Sequence, residues 1–168
     1  LSKHAAQFDC EVSQDQETAI IGAMGPKSTR LLAAICDDPD QPERIDYYTS
    51  ATLTAGDIAF RANRLSYVGE RGFELYLPAH TATELWQRLL RAGAPLNIRA
   101  AGFHAMNACR MEKGYRHWGD DIHDHITPLQ AGLGFAAAKD KKGYIGQSII
   151  EAQRGVQTRR LVGLAIAS

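Results

Sequence analysis

Cysteine, charge of one sign and long apolar runs are all scarce in this chain of 168 residues. The three cysteines, Cys10, Cys36 and Cys109, form an odd set without CxxC spacing. That pattern argues against a disulfide framework or a zinc knuckle and fits a reducing compartment. Nineteen basic residues balance nineteen acidic ones, so the net charge is zero with histidines neutral. A nucleic-acid footprint needs clustered Lys and Arg, and no nucleic-acid partner is expected. No apolar run approaches the roughly 20 residues of a membrane-spanning helix, and no membrane partner is expected. No G-x-G-x-x-G follows a strand pattern, so a dinucleotide- or flavin-binding fingerprint is missing from these residues. The GAMGPK segment, Gly22 to Lys27, has the wrong spacing for a phosphate loop and reads instead as a helix opening at Gly-Pro.

What is present is 45% hydrophobic residues, enough for a real core in one or two small domains. Glu17 to Gly22 reads as a strand, followed by a helix from Lys27 to Ile35 with Pro26 at its first position. Asp37 to Arg44 is a polar loop holding Pro39 and Pro42. Phe60 to Ser66 and Phe73 to Leu77 read as a hairpin-like pair around Gly69 and Gly72. Thr81 or Thr83 caps a helix running through Leu90, with Leu85, Trp86 and Leu89 on one face. A further helix covers Ala100 to Lys113 and ends at Gly114. Leu133-Gly134-Phe135 leads into a strand, Gln147 to Arg154 is a short helix, and Arg160 to Ile166 a final strand. Strands followed by helices, with ββα in the middle, predict an α+β fold built as a ferredoxin-like split β-α-β sandwich.

The most informative stretch is RLSYVGERGFELYLP, residues 64–78. Glu74 sits there among Phe73, Leu75 and Leu77, and a buried carboxylate needs a partner. On an alternating strand Glu74 either faces solvent or accepts hydrogen bonds from a planar ligand with an amidine-like N–H edge, such as a pterin or guanine. Downstream, His117, His123 and His125 with Asp120, Asp121 and Asp124 suggest a metal cluster, since His123 and His125 would share a face on a strand. The run reads as a solvated polar loop, and no metal site is expected. Cys109 reads as a core thiol on an apolar helix face.

Several blocks in order carry a family resemblance: AIIGAMGPKSTRLL, RLSYVGERGFELY, RMEKGYRHWGDDI and TPLQAGLGF. Together they resemble the glycine-cleavage T-protein superfamily over roughly residues 18–166. The resemblance implies a tetrahydrofolate cofactor held by Glu74, which follows Gly72-Phe73 as the family's pterin-binding glutamate does. It also implies Tyr67 near the pterin, stacking on the ring or packing as a core aromatic. Tyr115, after Gly114, either lines the folate site or shields the helix end. At Ala105-Met106-Asn107 the chain departs from the family, because Met106 stands where an arginine contacts folate. The family's catalytic aspartate has no counterpart here, since Asp9, Asp15 and Asp57 lie in other contexts, and no catalytic residue is expected in this chain.

The EKGYR-x-WG form, Glu112 to Gly119, resembles the folate domain of sarcosine and dimethylglycine dehydrogenases rather than standalone T-proteins. The implied function is a one-carbon transfer module forming 5,10-methylenetetrahydrofolate, partnered by a flavin domain of the same polypeptide that carries FAD. The alternatives are a standalone aminomethyltransferase and a non-enzymatic folate-binding protein of the same fold. The chain opens without methionine and closes inside an apolar strand pattern, which predicts an incomplete piece of a longer polypeptide. Its expected division is a partial α+β subdomain over 1–45 and a folate-binding subdomain over 46–168, in bacterial cytoplasm or mitochondrial matrix.

Overall fold

The computed structural model describes residues 2–156 and 159–165. They fall into two compact units, Leu1–Gly102 and Phe103–Ser168. The first holds α1 (Ser2–Ala5), β1 (Thr18–Met24), α2 (Ser28–Ala33), α3 (Gln41–Arg44), β2 (Ser50–Ala55), β3 (Ile58–Asn63), β4 (Gly72–Pro78) and α4 (Ala82–Gly93). The second holds α5 (Phe103–Glu112) and α6 (Gln147–Gln153), joined by turns.

The strands of the first unit form one antiparallel sheet in the order β1-β4-β3-β2. The α+β class is as the sequence predicts. Within that class, a split β-α-β unit has one strand between the two that a helix connects; here β4 and β3 both lie between β1 and β2. The strand placed in 1–45 thus pairs along its full length with β4 in 46–168.

Alternation explains how this sheet is buried, because successive side chains leave a strand on opposite faces. Ile21, Leu53, Phe60, Phe73, Leu75 and Leu77 point to one face and meet Leu31, Leu32, Leu85 and Leu89 of the helices. Leu85 and Leu89 are one helical turn apart and share the buried stripe; Trp86, about 100° around the helix, is 39% exposed, against the expectation that it faces the core. Removing a side chain such as Phe73 from water contributes about 1.5–3 kcal/mol. The opposite face carries Ile20, Gly22, Arg61, Asn63, Glu74 and Tyr76, all exposed or half-buried.

The sequence pattern missed β2. Ala51, Leu53 and Ala55 alternate inward, and Gly56-Asp57 closes a two-residue hairpin to β3. Gly56 takes φ +63°, which favours glycine, and its N–H donates to the Asp37 carboxylate at 2.9 Å. Thr81 precedes α4 as expected, yet its hydroxyl donates to the Pro78 carbonyl at 2.8 Å instead of capping the helix.

In the second unit Gly114 ends α5 with φ +76°, and the Tyr115 N–H donates to the Arg110 carbonyl at 2.8 Å. Three expectations fail there. Gly134–Ala136 is a short 3-10 turn, not the start of a strand. Residues 160–165 form no strand, because no neighbouring strand offers ladder partners among the described residues; Ile166 lies outside them. Cys109 is exposed, since α5 turns Arg110 inward in its place.

Candidate functional site

Glu74 lies on the uncovered face of the sheet, half-buried, between two neighbours fixed by strand register. Asn63 of β3 is directly opposite on one side, and Gly22 of β1 on the other. Gly22 has no side chain, so the sheet beside the carboxylate is a flat floor; a Cβ built there would meet nothing closer than the Met24 Cε at 3.5 Å. Two residues along β4, the Tyr76 hydroxyl donates to Glu74 Oε2 at 2.7 Å. Across from Tyr76, the Arg61 guanidinium stands 4.9 Å from the ring centroid. The hydrogen bond to Glu74 raises the Tyr76 phenol above its ordinary pKa, helped by burial and the Glu74 charge, while Arg61 and Asn63 oppose the rise. A groove of about 680 Å³ continues from Arg61 and Tyr76 along Ile20, Thr18 and Pro78.

This arrangement suits a planar ligand with adjacent N–H donors. An ionised carboxylate offers about four acceptor positions, of which Tyr76 takes one. Of the two readings of Glu74, solvent-facing and ligand-facing, both fall on the same face, because the non-core side of this sheet is where a ligand could lie.

The connection from β3 to β4, residues 64–71, is held by its own contacts. The Val68 N–H donates to Ser66 Oγ at 3.2 Å, and Gly69 takes φ +80°. Arg71 reaches Glu43 with both carboxylate oxygens at 3.0 Å. Gly72 is closely packed: a Cβ there would come to 3.0 Å from Ser66 Cβ and 3.1 Å from Met24 Cγ. Tyr67 sits half-buried on this connection.

Tyr115 belongs to the second unit, half-buried directly after α5. Its segment is held by Arg110 of α5. Arg110 is 2% exposed, and its guanidinium donates to Asn107 Oδ1 at 2.7 Å, to the Tyr115 carbonyl at 3.1 Å and to Asp121. Asp121 also accepts from the His117 N–H at 2.9 Å, and Asp120 lies 3.5 Å from the same guanidinium, so the buried Arg110 ties residues 115–121 to α5. The signal was in the sequence: an arginine among helix-face residues followed by Asp120-Asp121. Met106 is half-buried on the same helix.

Asp15 and Asp57 are engaged within the first unit. Asp15 accepts from the Thr18 hydroxyl at 2.6 Å and from two backbone N–H groups, and its carboxyl is held below its ordinary value, first by Thr18. Asp57 pairs with Arg88 at 2.7 Å and is lowered by it. His123 and His125 rings stand 5.6 Å apart, edge to face, and no group of three His, Cys, Asp or Glu among the described residues could hold a metal ion. Among these residues no helix is long and apolar enough to cross a membrane.

Known proteins resemble the chain over most of its length. An aminomethyltransferase of Halothermothrix orenii is 33% identical over 92% of the chain and 43% of its own length. A formaldehyde-forming 4-methylaminobutanoate oxidase of Paenarthrobacter nicotinovorans is 38% identical over 88% of the chain and 18% of its own length. The mitochondrial sarcosine dehydrogenase of Homo sapiens is 33% identical over 89% of the chain and 16% of its own length. The chain thus spans less than half the length of these curated relatives, all of which are named as enzymes. The GCVT N-terminal domain family matches residues 1–141, and the chain belongs to that family.

Proposed function

We propose that the chain is a tetrahydrofolate-binding, one-carbon transfer module of a flavin-dependent sarcosine or dimethylglycine dehydrogenase. The observation that carries the reading is Glu74 on an open sheet face, with its carboxylate held by Tyr76 and a bare floor at Gly22 beside it. Glu74 accepts from the 2-amino group and adjacent N–H of the pterin, and charge-assisted bonds of this kind contribute about 1.5–3 kcal/mol each. Tyr67 supplies aromatic surface to the same ligand. Bound tetrahydrofolate supplies the nitrogens that take up the one-carbon unit. FAD belongs to a flavin domain of the same polypeptide, and the compartment is bacterial cytoplasm or mitochondrial matrix.

A standalone aminomethyltransferase is the second reading. It is supported by the similarity to aminomethyltransferases, such as that of Halothermothrix orenii at 33% identity, equal to that of the sarcosine dehydrogenase. The length of the encoding gene separates the two: a flavin fingerprint in a much longer polypeptide supports the dehydrogenase. The folate reading itself is tested by calorimetry of the full-length protein with folinic acid. Binding that weakens by about 1.5–3 kcal/mol in Glu74→Gln supports it; equal binding by wild type and variant removes Glu74 from the site.

A further inference from the structure

We infer that Tyr76 is a positioning residue for the ligand of Glu74, acting by holding the carboxylate plane; this rests on the folate reading above. A glutamate on an exposed sheet face is free to rotate about three side-chain torsions, and a two-point hydrogen bond to a planar edge requires one orientation. Pre-setting that orientation removes an ordering cost from binding. The structure supplies the means on one face of two strands. Tyr76 lies two residues from Glu74 on β4, so both side chains leave the same side. Its hydroxyl reaches Oε2 at 2.7 Å.

The ring that carries this hydroxyl is itself held. Arg61 lies directly opposite Tyr76 in the register and stacks over its face at 4.9 Å. Asn63 lies directly opposite Glu74 and works against the rise in the phenol's pKa. Arg61 thus braces Tyr76 from β3, and Tyr76 braces Glu74. On the β1 side the neighbours of Tyr76 and Glu74 are Ile20 and Gly22, neither of which has a polar side chain to compete for the carboxylate. A phenol is protonated at neutral pH and the bond to Glu74 raises its pKa further, so the hydroxyl remains the donor and the carboxylate the acceptor.

The test is a double-mutant cycle read by folinic acid calorimetry on the full-length protein, with the thermal unfolding midpoint measured alongside. Tyr76→Phe removes the hydroxyl and keeps the ring under Arg61. The expected result is an affinity loss of about 3- to 10-fold with an unchanged unfolding midpoint. In a Glu74→Gln background the same change costs less than about twofold, because the carboxylate it orients is gone. Arg61→Lys gives a smaller loss in the same direction. An unchanged affinity in Tyr76→Phe overturns the assignment, and so does an equal loss in both backgrounds, which would mean a direct contact with the ligand. A lowered midpoint that tracks the affinity loss would reduce the tyrosine to a structural role and also overturns it. Absence of binding by folded wild-type protein is a different result: it removes the folate reading and the role of Tyr76 with it.

Discussion

The two units of this chain are held together by opposite means. Residues 2–102 bury sixteen apolar side chains in one cluster between sheet and helices. Among the described residues of 103–165 the buried apolar ones are Leu129, Ala131 and Ile150, and the largest buried side chain is the cation of Arg110. Phe103, Trp118, Phe135, Ile145 and Leu164 are all more than two-thirds exposed there. The first unit therefore rests on non-directional burial, which tolerates a loosely specified surface and leaves one sheet face available for chemistry. The second rests on a few directional bonds, each of which fixes a particular loop, including the one bearing Tyr115.

The largest test of that contrast is Phe73→Ala. Phe73 is fully buried beside Glu74, and its truncation is expected to cost about 3–5 kcal/mol in urea unfolding. A loss below 1 kcal/mol would mean that the sheet does not depend on its core. In the second unit the matching change is polar. Asp121→Ala removes the nearer of two carboxylates paired with the buried Arg110 cation, leaving Asp120 at 3.5 Å, and is expected to cost about 1–3 kcal/mol. Arg110→Met keeps volume and removes the charge, so it should cost less than Asp121→Ala; the reverse order in unfolding experiments would sink the ion-pair account of this unit.

A smaller effect comes from pH. Burial, with Asp37 and Asp38 nearby, pushes the Cys36 thiol from 9.0 up to about 11. The folded state therefore holds this proton more tightly than the unfolded chain. Its contribution is fully present below pH 9 and is lost as pH rises through 11, a fall of at most about 2.7 kcal/mol. Cys36→Ala should remove that component of the alkaline slope, and an unchanged slope would contradict it. The smallest effect belongs to the surface. Arg71→Ala breaks the pair with Glu43, but both side chains are well exposed, so the loss should stay below about 1 kcal/mol and shrink in salt.

What the sequence disclosed follows the same division. In the first unit, strand alternation and helical spacing are strong signals because a large core imposes them, and β1, β3, β4, α2 and α4 were all legible within a few residues. β2 was missed because Ser50–Ala55 is short and carries small residues, so its inward Ala51, Leu53 and Ala55 give a faint alternation. Strand order was not legible, since it depends on which edges meet across the chain. Glu74 stood out because a carboxylate interrupts an apolar run. Tyr76 did not, because an aromatic on a strand needs no explanation until its hydroxyl is seen on Glu74. In the second unit periodicity failed at Leu133 to Phe135 and at Arg160 to Leu164: with so little apolar burial, those apolar residues impose no regular element.

The most direct test of the folate site is amide chemical-shift mapping of the full-length protein titrated with folinic acid. The predicted result is a contiguous set of perturbed amides at Gly22, Asn63, Glu74 and Tyr76, on adjoining strands around one carboxylate. Perturbation confined to α2 and α4 on the far side of the sheet, with these four unmoved, would contradict the account.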